Sequence, residues 1–266
     1  MITGKNIILT GANSGIGLKI LKLLIRNNNR VFCADTNTDE LELLKNNNIT
    51  IFRKDISSKS AVDEMFDEAV NRLGKIDIFF ANAGFGYYEE MDYVSWDRIS
   101  RIFETNVFSP IYSYQKYREY LRGENGIFVL TCSVIGLIAN PGYALYSSTK
   151  FALSGFQRAI KEELPDNIQL SCIYPVATDT QFFRRANKLP YKKPFPLQSP
   201  ETVAKRAIRG IEKGKSVINT SILFIIMKPI LKAFPPVKNL FLFPEKRKFT
   251  AFRRRINQFK SKNRKS

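Results

Sequence analysis

Short apolar runs alternate with longer stretches of helical period over the first four-fifths of the chain. Ile7–Thr10, Arg30–Ala34, Thr50–Arg53, Ile76–Ala81, Gly126–Cys132 and Ile168–Tyr174 are near-continuously apolar. That is the pattern of parallel strands covered on both faces, since half-exposed strands alternate apolar with polar positions. Between them the periodicity predicts helices over Gly15–Asn28, Thr38–Lys45, Ser58–Leu73, Trp96–Leu121 and Tyr143–Leu164. Ser199 followed by Pro200 starts another, running to about Lys213, because serine satisfies a free N–H and proline suits the first turn. Strand and helix in alternation predict an α/β fold with a doubly wound parallel sheet.

Beyond Gly214 the pattern changes. Ile222–Met227 is apolar but ends at Lys228-Pro229, and Pro235-Pro236 precedes a second apolar patch, Leu240–Phe243. A bilayer-crossing helix needs about 20 mostly apolar residues, so this broken stretch is not expected to span a membrane. From Lys228 to Ser266 there are 13 Lys and Arg against Glu245 alone, a net +12, which leaves +6 of the chain's +18 to residues 1–227. Phe249, Phe252, Ile256 and Phe259 recur at spacings of 3, 4 and 3 on one helical face, crowded by Lys246, Arg247, Lys248, Arg253, Arg254, Arg255, Lys260 and Lys262. A basic amphipathic helix of this kind suits an anionic membrane surface. Docking on the chain's own body is the alternative, and nucleic acid or another acidic partner is the least favoured.

The 266 residues contain no histidine, which excludes Ser-His-Asp and Cys-His catalysis and HExxH zinc sites. Cys33, Cys132 and Cys172 each fall in an apolar run and form no CxxC pair, so they read as small buried hydrophobes. Neither a disulfide framework nor a metal site is expected. A reducing, cytoplasmic setting is expected, and no charged-then-apolar leader precedes the first strand.

Thr10-Gly-Ala-Asn-Ser-Gly-Ile-Gly17 links the first strand to the first helix. Glycines there permit a tight turn and leave a pyrophosphate room against the N–H groups of the helix N-terminus. Asp35 ends the second strand, where a carboxylate accepts adenosine ribose hydroxyls and repels the 2′-phosphate of NADP, so NAD is preferred with NADP possible. Tyr146 and Lys150 share a helical face, with Ser133 thirteen residues before the tyrosine at the end of a strand. Tyr112 and Lys116 have the same spacing, but the residue thirteen before Tyr112 is Ile99, which polarises nothing.

Taken in order, Thr10–Gly17, Asp55, Asn82-Ala-Gly84, Asn106, Ser133, Tyr146-x-x-x-Lys150 and Pro175 with Thr180 resemble the short-chain dehydrogenase/reductase family over roughly residues 1–215. The resemblance implies a Rossmann-type NAD(P)-binding catalytic domain over 1–215, with a basic, apolar C-terminal extension over 216–266. It implies hydride transfer between nicotinamide and a secondary alcohol or ketone. Tyr146 would exchange the proton, Lys150 would stabilise the phenolate and hold the nicotinamide ribose, Ser133 would bond the reacting oxygen, and Asn106 would anchor a water leading to Lys150. Cofactor contacts are implied for Gly11, Asn13, Ser14, Gly15, Ile16 and Gly17 of the turn and for Asp35. They are implied also for Asp55 and Ile56 at adenine, for Asn82 and Gly84 lining the adenosine ribose pocket, for Thr180 at the carboxamide, and for Ala83, Pro175 and Thr178. Two positions depart from the family pattern: Val176 follows Pro175 where glycine is frequent, and Ala81 precedes Asn82 where asparagine is usual.

Phe182, Phe183, Tyr191 and Phe195 lie among Arg184, Arg185, Lys188, Lys192 and Lys193 in the segment that forms a mobile substrate flap in that family. With Phe85, Tyr87, Tyr88, Ile135, Leu137 and Ile138 they suggest walls for an apolar, lipid-like substrate. A homo-oligomer through the long helices is expected. The competing reading is a dinucleotide-binding scaffold or sensor with vestigial catalysis, whose tail contacts membrane or nucleic acid.

Overall fold

A computed structural model describes residues 1–187, 189, 191–194 and 196–263, with side chains not described at 232, 235, 238 and 259–263. Lys188 and Phe195, and the side chains of Phe259, Lys260 and Lys262, therefore lie outside the described residues. The strands are β1 (Asn6–Thr10), β2 (Arg30–Asp35), β3 (Ile49–Arg53), β4 (Ile78–Ala81), β5 (Gly126–Thr131), β6 (Ile168–Tyr174) and β7 (Val217–Asn219). They form one parallel sheet in the order β3-β2-β1-β4-β5-β6-β7. The six expected strands match within two residues at their ends. β7 was not anticipated, because three residues carry no periodicity to read.

Side chains along each strand alternate between the two faces of the sheet. Ile8, Phe32, Phe79 and Phe128 face α3 (Lys59–Leu73), α5 (Ser109–Leu121) and α6 (Ala144–Ile160). Phe79 stacks between Phe66 and Phe128 there, with both centroid distances at 5.2 Å. Ile7, Leu9, Val31, Cys33 and Phe80 face α1 (Gly15–Ile25), α2 (Asp39–Leu43) and α8 (Pro200–Glu212). Both faces being covered is why the strands read as continuous apolar runs. Ser58, Ser95, Ser199 and Ser221 cap α3, α4 (Trp96–Phe103), α8 and α9 (Ile222–Ala233), each side chain accepting a backbone N–H.

The helix expected over 96–121 is interrupted. Between α4 and α5 the residues Glu104–Phe108 form a wide π turn, a device that concentrates at functional sites. α7 (Phe182–Ala186) follows β6, and α10 (Pro235–Asn263) ends the described chain.

A third apolar cluster stands off the sheet and joins α6, α7 and α10. Phe252 of α10 is 4% exposed, with its ring 4.8 Å from Tyr88 and 6.1 Å from Tyr191. Phe249 meets Tyr88 edge-on at 6.0 Å, Ile256 packs on the same cluster, and Arg253 pairs with Glu90 at 2.6 Å. This corrects the expectation that the Phe249–Phe252–Ile256 stripe faces a lipid surface. The body offers those rings an aromatic socket, so the stripe is spent on the protein itself.

Phe252→Ala should undock the helix. We expect hydrogen exchange to accelerate across 249–258 while β1, β4 and β5 keep their protection. Unchanged exchange there would show that Phe252 does not hold α10 to the body.

Candidate active site

The carboxyl ends of β1, β4, β5 and β6 meet beside the point where chain order reverses, between β1 and β4, which is where open α/β sheets take their ligands. The turn after β1 is held by Asn82, whose side-chain amide donates to Thr10 O at 3.0 Å and to Gly11 O at 3.1 Å. Its Oδ1 accepts from Thr131 Oγ1 at 3.1 Å, so one side chain ties together the ends of β1, β4 and β5. Thr10 Oγ1 returns the link by accepting the N–H groups of Asn82 and Ala83, both at 3.0 Å. Asn82 and Ala83 thus brace the turn from behind.

The glycines are needed for this close packing. A Cβ on Gly11 would lie 2.8 Å from Ala83 Cα, and one on Gly17 would lie 2.0 Å from Gly11 O. Gly15 has φ +55°, a region open to glycine at little cost, and Thr180 stands over it. Ser14 precedes α1 without its side chain capping the helix, and no acidic residue lies in the first turn. The free N–H groups and positive end of α1 are therefore left for an anion.

Asp35 accepts the Asn13 N–H at 2.9 Å through one oxygen and the Asn37 N–H at 3.2 Å through the other. A carboxylate offers about four acceptor positions, so capacity remains for ribose hydroxyls. Asn13's own side chain is engaged with Asn37 and the Leu41 N–H, which makes it a brace between turn and β2. Asp55 is exposed and accepts the Ser57 N–H, while Ile56 is buried with Phe52 and Val62. Thr178 donates to Val176 O at 2.7 Å, and Thr180 accepts the Phe182 N–H at 3.2 Å. These residues fit a dinucleotide: an uncapped helix end, a turn with no side chains in the way, and a half-buried carboxylate at the end of β2.

Lys150 and Tyr146 project from α6 toward the same spot. Lys150 is 3% exposed, and its Nζ donates to Thr131 O at 2.9 Å and lies 5.7 Å from the Tyr146 ring centre. Burial lowers its pKa, opposed by the Cys132 and Cys172 thiols. Burial pushes the Cys132 thiol up, but the Cys172 hydrogen bond, the Lys150 charge and the Ser154 hydroxyl outweigh it and bring the thiol below its ordinary value. Cys132 is thus more than a small hydrophobe, because it borders the lysine.

Tyr146 is 9% exposed, and burial raises its hydroxyl above the ordinary phenol range, with Cys132 adding to the effect and the Ser133 hydrogen bond opposing it. This differs from the expectation of a phenol kept acidic by Lys150, and the reason is its cover. Phe182 of α7 lies 5.0 Å from the Tyr146 ring, and Gly86 makes room for it, since a Cβ there would sit 2.6 Å from Phe182 Cζ. The flap is shut. Ser133 accepts the Ile135 N–H at 3.2 Å and donates to Pro175 O at 3.4 Å.

Asn106 is fully buried in the π turn. It accepts the Phe85 N–H at 3.0 Å, donates to Phe85 O at 2.7 Å and donates to Thr149 at 3.2 Å. Its side chain thereby fixes the loop after β4 against α6, directly behind Tyr146 and Lys150. Sequence reasoning missed the roles of Thr10, Thr131 and Thr149, although Thr10 already stood inside the quoted turn motif.

The chain is similar to known proteins over most of its length. A family model described as short chain dehydrogenase matches residues 5–189. The 3beta-hydroxysteroid dehydrogenase 2 of Eggerthella lenta is 30% identical over 193 residues, covering 68% of this chain and 73% of that protein. The 3-ketodihydrosphingosine reductase of Dictyostelium discoideum is 27% identical over 248 residues, covering 80% and 73%. A short chain dehydrogenase/reductase from Burkholderia phymatum, solved in complex with NAD, has a similar fold at TM-score 0.77 and 19% identity, over 89% of this chain and 96% of that one.

Gly17→Ala tests the packing of the turn. The added methyl meets the Gly11 carbonyl, so we expect a loss of about 3 kcal/mol or more in urea unfolding, at the upper end of overpacking costs. A variant as stable as the parent would mean that the turn is looser than the structure has it.

Proposed function

The chain belongs to the short-chain dehydrogenase family, and from that premise we propose that it is an NAD(P)-dependent oxidoreductase interconverting a secondary alcohol and a ketone on an apolar, lipid-like substrate. The observation that carries this reading is Tyr146 beside Lys150 and hydrogen-bonded to Ser133, with Asn106 tied to α6 through Thr149. Nicotinamide, when bound, supplies or takes the hydride. The α1 N-terminus and Gly15 would receive the pyrophosphate, Asp35 the adenosine ribose, and Lys150 the nicotinamide ribose. A carboxylate at that ribose favours NAD over NADP.

Tyr146 gives its hydroxyl proton to the substrate oxygen in reduction and takes it back in oxidation. Ser133, turning from Pro175 O, donates to the same oxygen and stabilises negative charge as it develops. Lys150 stays on Thr131 O with its charge beside the phenol. When the Phe182 flap lifts, water and cofactor reach the phenol, and the ammonium then favours its ionised form. Asn106 holds the wide turn through which a water would link Lys150 to solvent.

Phe182, Tyr87, Phe85 and Ile135 line the approach to Tyr146 in the third cluster, which supports an apolar substrate. The two relatives named above are, by their names, enzymes of a hydroxysteroid and of ketodihydrosphingosine, and this supports the same class. We assign the protein to the cytoplasm, in contact with a membrane surface through the tail that carries +12. Among the described residues no helix is long and apolar enough to cross a membrane. Exposed Phe108 and Phe151, beside and on the long helices, support a homo-oligomer.

Tyr146→Phe removes the proton donor alone. Turnover of a ketone panel with NADH should fall by about 10²–10⁴-fold while NADH binding holds, and undiminished turnover would remove Tyr146 from the reaction. The pH profile tests the flap. Alcohol oxidation needs the ionised phenol, so its rate rises with pH through the Tyr146 pKa, and Phe182→Ala, by admitting water, should shift that rise to lower pH. An unmoved midpoint would show that Phe182 does not control the phenol.

A further inference from the structure

Apart from Lys228 and Lys232, α9 is apolar, yet of its described side chains the body buries only Phe224 and Leu231. Phe224 and Leu231 are buried, whereas Ile222, Leu223, Ile225 and Ile226 stand in solvent, Ile226 at 59% exposure. The patch continues into the first half of α10, where Leu240 is 73% exposed and Phe241 about half exposed. Exposed apolar side chains grouped in this way, beside basic ones, mark an interaction surface.

Charge identifies the partner. Exposed Lys246, Arg247 and Arg254 follow the patch on α10, and the segment from Lys228 onward has Glu245 as its one acid. α9 has 12 residues, enough to lie along a bilayer surface but not to cross one. We propose that α9 and the first half of α10 lie in the interface of an anionic lipid bilayer, with Ile222, Leu223, Ile225 and Ile226 of α9 and Leu240 and Phe241 of α10 among the acyl chains and the basic side chains on the headgroups. This rests on the lipid-contact reading of the tail given above and assigns the contact to a different surface from the aromatic stripe.

The placement also bears on substrate entry. Phe241 and Phe252 are eleven residues apart on α10, with Pro244 inside the helix between them. The same helix therefore reaches from the lipid to the aromatic cluster beside Tyr146, and an apolar substrate would travel between them.

Flotation of the full chain with vesicles tests the proposal. The parent should float with vesicles of phosphatidylcholine and phosphatidylserine, with pure phosphatidylcholine vesicles holding much less. I225D/I226D changes only exposed positions, so its thermal unfolding should match the parent while its vesicle partition falls by about tenfold or more. Reduction of a water-soluble ketone by the same variant should be unchanged, so a failure of lipid binding and a failure of the oxidoreductase reading appear in separate measurements. Equal partition of parent and variant would overturn the proposal. So would a dimer that the variant splits, by light scattering, without any loss of vesicle binding, since the patch would then belong to a second copy.

Discussion

A buried ammonium sets the terms for the rest of this molecule. Lys150 is nearly inaccessible, rests on one backbone carbonyl, and has no carboxylate paired with it among the described residues. Burying a cation so poorly compensated costs far more than packing an apolar side chain of the same shape. Such a group persists where chemistry requires it, and perturbed titratable groups in clefts mark functional sites for that reason. The neighbouring features are consistent with that purpose. The π turn at Asn106, the hydrogen bond to Thr149 and the Thr131 carbonyl all hold α6 at the distance that lets the lysine reach the end of β5.

The sheet edge around it is built to be rigid. Asn82 and Thr10 lock three strand ends to one another, and Gly11 and Gly17 allow the loops to touch at distances no side chain would tolerate. Rigidity behind the site contrasts with the cover in front of it. α7 is a single short helix that sets one aromatic ring over Tyr146, and α10 buttresses that cover through Tyr88 and Tyr191. Burial, to which Phe182 contributes, is why the phenol sits above its ordinary range.

Much of this was legible in the chain itself, because strands covered on both faces leave unbroken apolar runs and helix starts leave serine and proline marks. Tyr146 and Lys150 share one end of α6, with Ser133 hydrogen-bonded to the phenol. What escaped notice was either too short or decided in three dimensions. β7 has three residues and exists because β6 offers it an edge. The π turn carries no periodic signature of its own. The aromatic stripe of α10 was read with the right spacing and the wrong partner, since amphipathicity says that a face will be buried and not what buries it. The bracing role of the Asn82 amide, which donates to Thr10 O and Gly11 O, is visible only once the strand ends are placed together.

The central claim is that Lys150 serves cofactor and phenol and not the fold. Lys150→Met keeps the shape and removes the charge, so thermal unfolding and NADH fluorescence titration on one variant separate the two roles. The account predicts a melting temperature equal to or above the parent's, as expected when a buried charge gives way to an apolar isostere, together with an NADH affinity weakened by about tenfold or more. An unaltered affinity, or a variant that binds normally but unfolds at much lower temperature, would contradict it and make the lysine a structural residue.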